Sequence, residues 1–194
     1  CGIAAEAHGR VRETFGVCMV TTGPGATNVI TPVVGAWIES IPLLVISGQV
    51  KRPDLLAGRP LRQGGVQEVD IVPMVRHVTK YAVTIDDPQQ IRYHLERALY
   101  EMQDGRAGPV WLDVPLDVQA ATVDPEKLPK FTPPAPTANN NLATAAKDVF
   151  NLLTQAERPL ILAGHGVRLA GGAHTLLAAA ERFQVPVATT WNAL

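Results

Sequence analysis

The run Val17-Cys18-Met19-Val20, followed by Thr21-Thr22-Gly23-Pro24-Gly25-Ala26-Thr27-Asn28, constrains the fold more than any other stretch of this chain. An apolar, β-branched run of that length is too short for a helix and reads as a buried strand. It stops at two glycines flanking a proline, a strong turn signal. Downstream, Val29, Ile30, Val33, Val34, Trp37 and Ile38 recur at helical spacing, with Thr27 or Asn28 placed to cap the helix and Pro32 tolerable near its first turn. Strand, glycine turn and helix N-terminus predict free backbone N–H groups at the carboxyl end of a sheet, where open α/β folds bind ligands. A plain strand-to-helix turn would use the same residues.

The pattern then repeats. Pro42 punctuates, and Leu43-Leu44-Val45-Ile46-Ser47 is a second continuous apolar run ending at Gly48-Gln49. Two strands joined by a helix predict a parallel pair with a right-handed crossover, which puts Gln49 at the sheet edge that holds Pro24. Residues 50–66 form a long loop carrying Lys51, Arg52, Arg59 and Arg62. Asp70 opens a short helix reaching Met74 or Val75, His77 to Thr84 is a strand candidate, and Asp86-Asp87-Pro88 begins a helix whose apolar positions run to Gln103. Gly108 to Pro115 is another strand. Glu6 and Arg10, four apart, fit an ion pair on the first helix.

From Pro125 to Asn141, prolines, two lysines and three asparagines show neither helical nor strand period, which predicts a linker. Beyond it come a helix (142–156), a strand (159–163), the turn Gly164-His165-Gly166, a helix in the later part of 171–183 and a strand (185–190). The expected organisation is therefore a first domain over 1–124, a linker over 125–141 and the start of a second domain over 142–194. Cys1 in place of Met, and a C-terminal stretch running straight on from a strand, suggest a piece of a longer polypeptide, truncated in both domains.

With 194 residues and 46% hydrophobic content the chain can bury a core. A net charge of -1 gives no electrostatic footprint for nucleic acid, and no apolar run is long enough to span a membrane. Two cysteines, one inside a predicted buried strand, fit a reducing cytoplasm and no disulfide framework. No His or Cys has partners at metal-ligand spacing, so no metal site is expected in this stretch.

Three motifs in one order, Thr21-Thr22-Gly23-Pro24-Gly25-Ala26-Thr27-Asn28, Ser40 to Val50, and Gln67-Glu68-Val69-Asp70-Ile71-Val72, resemble the pyrimidine-binding domain of thiamine-diphosphate enzymes of the acetolactate synthase and pyruvate oxidase group. Arg158 to Val167 resembles the opening of that group's central domain. The resemblance implies an α/β fold: a parallel-sheet thiamine-diphosphate pyrimidine-binding domain followed by the start of a Rossmann-like central domain. It implies cofactor contacts at Pro24, Gly25, Asn28, Gln49 and Gln67. Glu6-Ala7-His8-Gly9-Arg10 matches a stretch that follows the group's activating glutamate, so that glutamate would lie before Cys1 and no catalytic residue is assigned here. The resemblance further implies decarboxylation of a 2-keto acid with transfer of the activated aldehyde, and Mg2+ held with the diphosphate by a domain beyond Leu194. It also implies a homodimer or homotetramer and leaves FAD open. Val66 stands where many members carry Phe, which affects the substrate pocket.

Two other readings use the same chain. Gly164-His165-Gly166 would serve a dinucleotide-dependent oxidoreductase, but lacks the third glycine and an acidic ribose reader about twenty residues on. A noncatalytic dimerisation or binding module needs no site at all.

Overall fold

Helix-favouring residues at the N-terminus form α1, Gly2–Arg12, and the Glu6–Arg10 pair closes on it at 2.6 Å. Left-handed Glu13 ends the helix and the chain enters β1, Gly16–Val20. At Gly16 α1 crosses so close to the strand that a Cβ would overlap the Ala5 carbonyl. The computed structural model describes residues 1–56, 58–135 and 141–193. The chain divides into two units, Cys1–Pro133 and Pro134–Leu194.

In the first unit, β1 is followed by α2, Pro24–Thr27, and α3, Ile30–Glu39, then β2, Leu43–Gln49. The single helix expected after the turn is thus two. Val29, not Thr27 or Asn28, stands at the N-cap of α3, and no side chain caps it; the Thr27 hydroxyl instead donates to the Pro24 carbonyl. Next come α4, Ile71–Val75; β3, Tyr81–Thr84; α5, Ile91–Gln103; β4, Pro109–Pro115; and α6, Leu116–Gln119. The strand expected from His77 is trimmed at its start by a 3-10 turn, Arg76–Val78.

All neighbouring strands are parallel, in the order β1-β2-β4-β3. One face of the sheet packs Cys18, Val45 and Trp111 against Ala5, Val33, Ala36 and Val75 of α1, α3 and α4. The other packs Leu44, Val110 and Leu112 against Ala98 and Met102 of α5 and Val118 of α6. Every residue of β4 is buried, as a continuous apolar run predicts. Strand β1 is covered on one face only, since α5 and α6 lie over β4 and its neighbours; Val17 and Met19 are exposed, Met19 by 71%. The expectation of a fully buried first strand is corrected accordingly.

Of the segment expected as a linker, residues 125–133 lie against α5. The Glu96 carboxylate accepts the Phe131 N–H (2.8 Å), Arg92 donates to the Pro125 carbonyl (3.1 Å), Leu128 is buried and Phe131 packs on Tyr93 and Tyr100. Residues 136–140 lie outside the described residues.

The second unit holds α7, Leu142–Gln155; β5, Ile161–Ala163; α8, Gly166–Leu169; α9, Ala173–Phe183; and β6, Val187–Thr189. Strands β5 and β6 are parallel, and Phe150 of α7 meets Phe183 of α9 edge to face. Among the described residues no helix is long and apolar enough to cross a membrane.

Candidate functional site

The carboxyl ends of β1, β2 and β4 meet at one place, and Gln49 stands at its centre. Its side-chain oxygen accepts from the Thr22 hydroxyl (2.9 Å) and the Val50 N–H (2.9 Å). Its amide nitrogen donates to the Val69 carbonyl (2.9 Å) and to Asp113 Oδ2 (3.0 Å). Two donors and two lone pairs are the whole capacity of a glutamine amide. Gln49 is buried and spent on protein partners, tying the turn after β1, the end of β2, the segment before α4 and strand β4 into one unit.

Beneath it lies a buried polar group that the sequence reading did not single out. Asp113 Oδ1 accepts from Ser47 Oγ at 2.5 Å, Oδ2 accepts from Gln49 and from Thr84 Oγ1 (3.3 Å), and Ser47 in turn accepts from the Trp111 indole N–H (2.8 Å). Burial pushes the Asp113 carboxyl up to about 6, against the pull of its three donors. The available signal was a polar residue inside each of two otherwise apolar strands, Ser47 and Asp113, paired in register across β2 and β4.

The glycine turn is shaped by its backbone. Gly23 has φ 60° and ψ -122°, which L side chains rarely adopt, and a Cβ there would overlap the Gln67 carbonyl oxygen. Gln67 itself is held at φ 59°. A left-handed non-glycine residue is uncommon and stores strain of the kind found at functional sites. Pro24, Asn28 and Gln67 are exposed, and Gly25 is half-buried. The structure thus presses the Gln67 backbone onto the turn and ties Gln49 to Thr22, while Asn28 sits on the outer end of α2.

Three of the amide donors expected to be free at this turn are engaged within it. The Gly25 N–H donates to the Thr22 carbonyl (3.3 Å), Thr27 N–H to Gly23 (2.9 Å) and Asn28 N–H to Pro24 (3.2 Å). The turn is folded on itself and brings no basic side chain of its own, so it suits a neutral, flat ligand with polar edges better than a phosphate.

The basic loop has an internal anchor. The buried Glu68 carboxylate accepts N–H groups from Leu56 (2.5 Å), Gly64 (2.5 Å) and Gly65 (3.3 Å). Arg52 bonds Asp117 at 2.7 Å and the Asp86 carbonyl at 2.6 Å, and Arg59 donates to the Leu55 and Leu56 carbonyls, so these two cations are engaged with the fold. Glu68→Gln replaces one acceptor oxygen by a donor facing donors and is expected to loosen the loop by about 1–3 kcal/mol. Faster tryptic cleavage after Arg62, with the sheet's circular dichroism unchanged, is the result that checks it.

Beside the site, the ends of β1, β2 and β4 border an open depression of about 780 Å³ lined by Met19, Thr22, Ile46, Gln49, Val114 and Leu116 among others. Of the five expected contact residues, Gln49 alone lines it. Among the described residues no group of three His, Cys, Asp or Glu side chains could hold a metal ion.

A parallel α/β sheet, with a turn that only glycine adopts freely and a left-handed glutamine meeting at its carboxyl edge, defines a ligand-binding domain of the open-sheet class. Residues 1–74 match the family described as thiamine pyrophosphate enzyme, N-terminal TPP binding domain, and residues 146–194 match that family's central domain. The chain belongs to the thiamine pyrophosphate enzymes. It is 36% identical over 195 residues to a probable acetolactate synthase large subunit of Methanocaldococcus jannaschii, an alignment covering 96% of this chain and 31% of the relative. Identity is 36% over 198 residues to the acetolactate synthase large subunit of Corynebacterium glutamicum (100% and 30% covered) and 38% over 197 residues to glyoxylate carboligase of Escherichia coli O157:H7 (97% and 31%). The chain spans about 30% of the length of these curated relatives.

Proposed function

We propose that the full-length protein is a thiamine-diphosphate-dependent enzyme that decarboxylates a 2-keto acid and transfers the activated aldehyde, as in acetolactate synthase. The observation that carries this reading is the turn itself. Its engaged amides at Gly25, Thr27 and Asn28, the apolar ring of Pro24 and the exposed side-chain amides of Asn28 and Gln67 fit the neutral aminopyrimidine half of the cofactor, and the diphosphate half with Mg2+ would be held elsewhere. Bound there, the cofactor supplies an electron sink for a decarboxylating keto acid.

In this proposal Pro24 and Gly25 form the wall against the ring, and Asn28 and Gln67 offer donors and acceptors to its polar edge. Gln49 holds the turn in place through Thr22 and makes no ligand contact of its own. The cofactor-binding domain spans 1–124 and the central domain starts at 142. The assembly is a homodimer or homotetramer of a cytoplasmic enzyme.

The names of the relatives point to acetolactate formation first and to glyoxylate as substrate second. Full-length protein supplied with thiamine diphosphate, Mg2+ and pyruvate is expected to release carbon dioxide and form acetolactate. Turnover of glyoxylate but not pyruvate would move the assignment to a carboligase of that acid. A folded protein that decarboxylates no 2-keto acid would overturn it.

A further inference from the structure

We propose that Cys1 and Cys18 form a dithiol that a hydroperoxide oxidises to a disulfide, fixing the start of α1 to the middle of β1. The two sulfurs are 3.1 Å apart although the residues lie seventeen positions apart, and the Cys18 S–H points at the Cys1 sulfur. Both are free thiols, Cys1 exposed and Cys18 buried at 1% exposure. The Cys1 sulfur also faces the Met19 carbonyl at 3.8 Å. Burial pushes the Cys18 thiol up, which keeps it protonated and inert until a neighbouring sulfur is activated.

These positions divide the roles. The exposed Cys1 thiolate attacks one peroxide oxygen; the O–O bond breaks, the departing oxygen takes up a proton as water or alcohol, and Cys1 becomes a sulfenic acid. Cys18 then attacks the Cys1 sulfur, the S–O bond breaks, the hydroxyl leaves as water with the Cys18 proton, and the S–S bond forms. Two thiols lose two electrons and one hydroperoxide gains them.

The chain's remaining redox-active candidates are methionines, and no other cysteine competes within it. The linkage would hold β1 three residues ahead of Thr21, where the glycine turn begins.

The test is peptide mapping of the full-length protein without reduction, before and after exposure to hydrogen peroxide. A cross-linked pair of peptides carrying Cys1 and Cys18, absent from the untreated sample and released by dithiothreitol, is expected, together with loss of both thiols. In Cys1→Ser the same exposure should leave Cys18 a titratable thiol. Recovery of Cys1 as sulfinic acid beside a free Cys18, or of both thiols intact in the wild-type protein, would overturn the proposal, and neither result depends on the variant folding.

Discussion

Gly23→Ala is expected to dislodge the turn after β1 and to weaken binding of thiamine diphosphate by the full-length protein at least tenfold. Two effects add at this position. The backbone at φ 60° and ψ -122° is strained for any L side chain, at about 1–3 kcal/mol, and the new methyl would occupy the space of the Gln67 carbonyl oxygen, an overpacking cost of similar size. Gly105 is the natural control. Its φ is also positive, 58°, yet nothing lies within 4 Å of a Cβ there. Gly105→Ala should therefore carry backbone strain alone and leave cofactor affinity unchanged. Calorimetric affinities of the two variants side by side separate conformation from collision, and equal effects would mean that the contact between Gly23 and Gln67 does not shape the site.

The second large effect concerns Asp113. In the folded chain its carboxyl titrates at about 6, against 3.8 when unfolded, so the folded state holds the proton more tightly. The associated stability is present below about pH 4 and is lost as the pH rises through about 6. The gap corresponds to about 3 kcal/mol. Asp113→Asn should abolish this pH dependence and, by setting an amide N–H against the Gln49 and Thr84 donors, weaken β4 at all pH values by about 1–3 kcal/mol. Native-state hydrogen exchange of the β4 amides at pH 4, 5, 6 and 7, corrected for the intrinsic rate, reads both. Greater protection at pH 7 than at pH 4 in the wild type, relative to the variant, would reverse the sign argued here.

The strand pattern was legible because β2 and β4 are apolar apart from Ser47, Gln49 and Asp113, and only burial on both faces of a parallel sheet rewards that composition. The turn was legible for a related reason: few residues other than Gly-Pro-Gly follow a strand so abruptly. What the sequence did not disclose were the long-range partners. Asp113 looks like a stray acid in an apolar run until Ser47, Gln49 and Thr84 are brought against it from positions 29 to 66 residues away. Glu68 was read only as part of a motif, although its carboxylate organises the loop before it. Part of the free amides expected at the turn is used up because Pro24–Thr27 closes a helical turn of its own, which engages the Thr27 and Asn28 N–H groups. Exposure of Met19 was equally hidden, since hydropathy alone cannot tell which part of a sheet face its helices reach.

The central claim is that this edge of the sheet receives the neutral half of thiamine diphosphate. It is tested most directly by calorimetric titration of the full-length protein with thiamine diphosphate and Mg2+, alongside the 194-residue chain. Saturable binding by the full-length protein, reduced at least tenfold by Gly23→Ala, with none by the shorter chain, is the predicted result. A folded full-length protein that binds no thiamine diphosphate, or binds it with unchanged affinity when Gly23, Asn28 and Gln67 are each replaced, would contradict it.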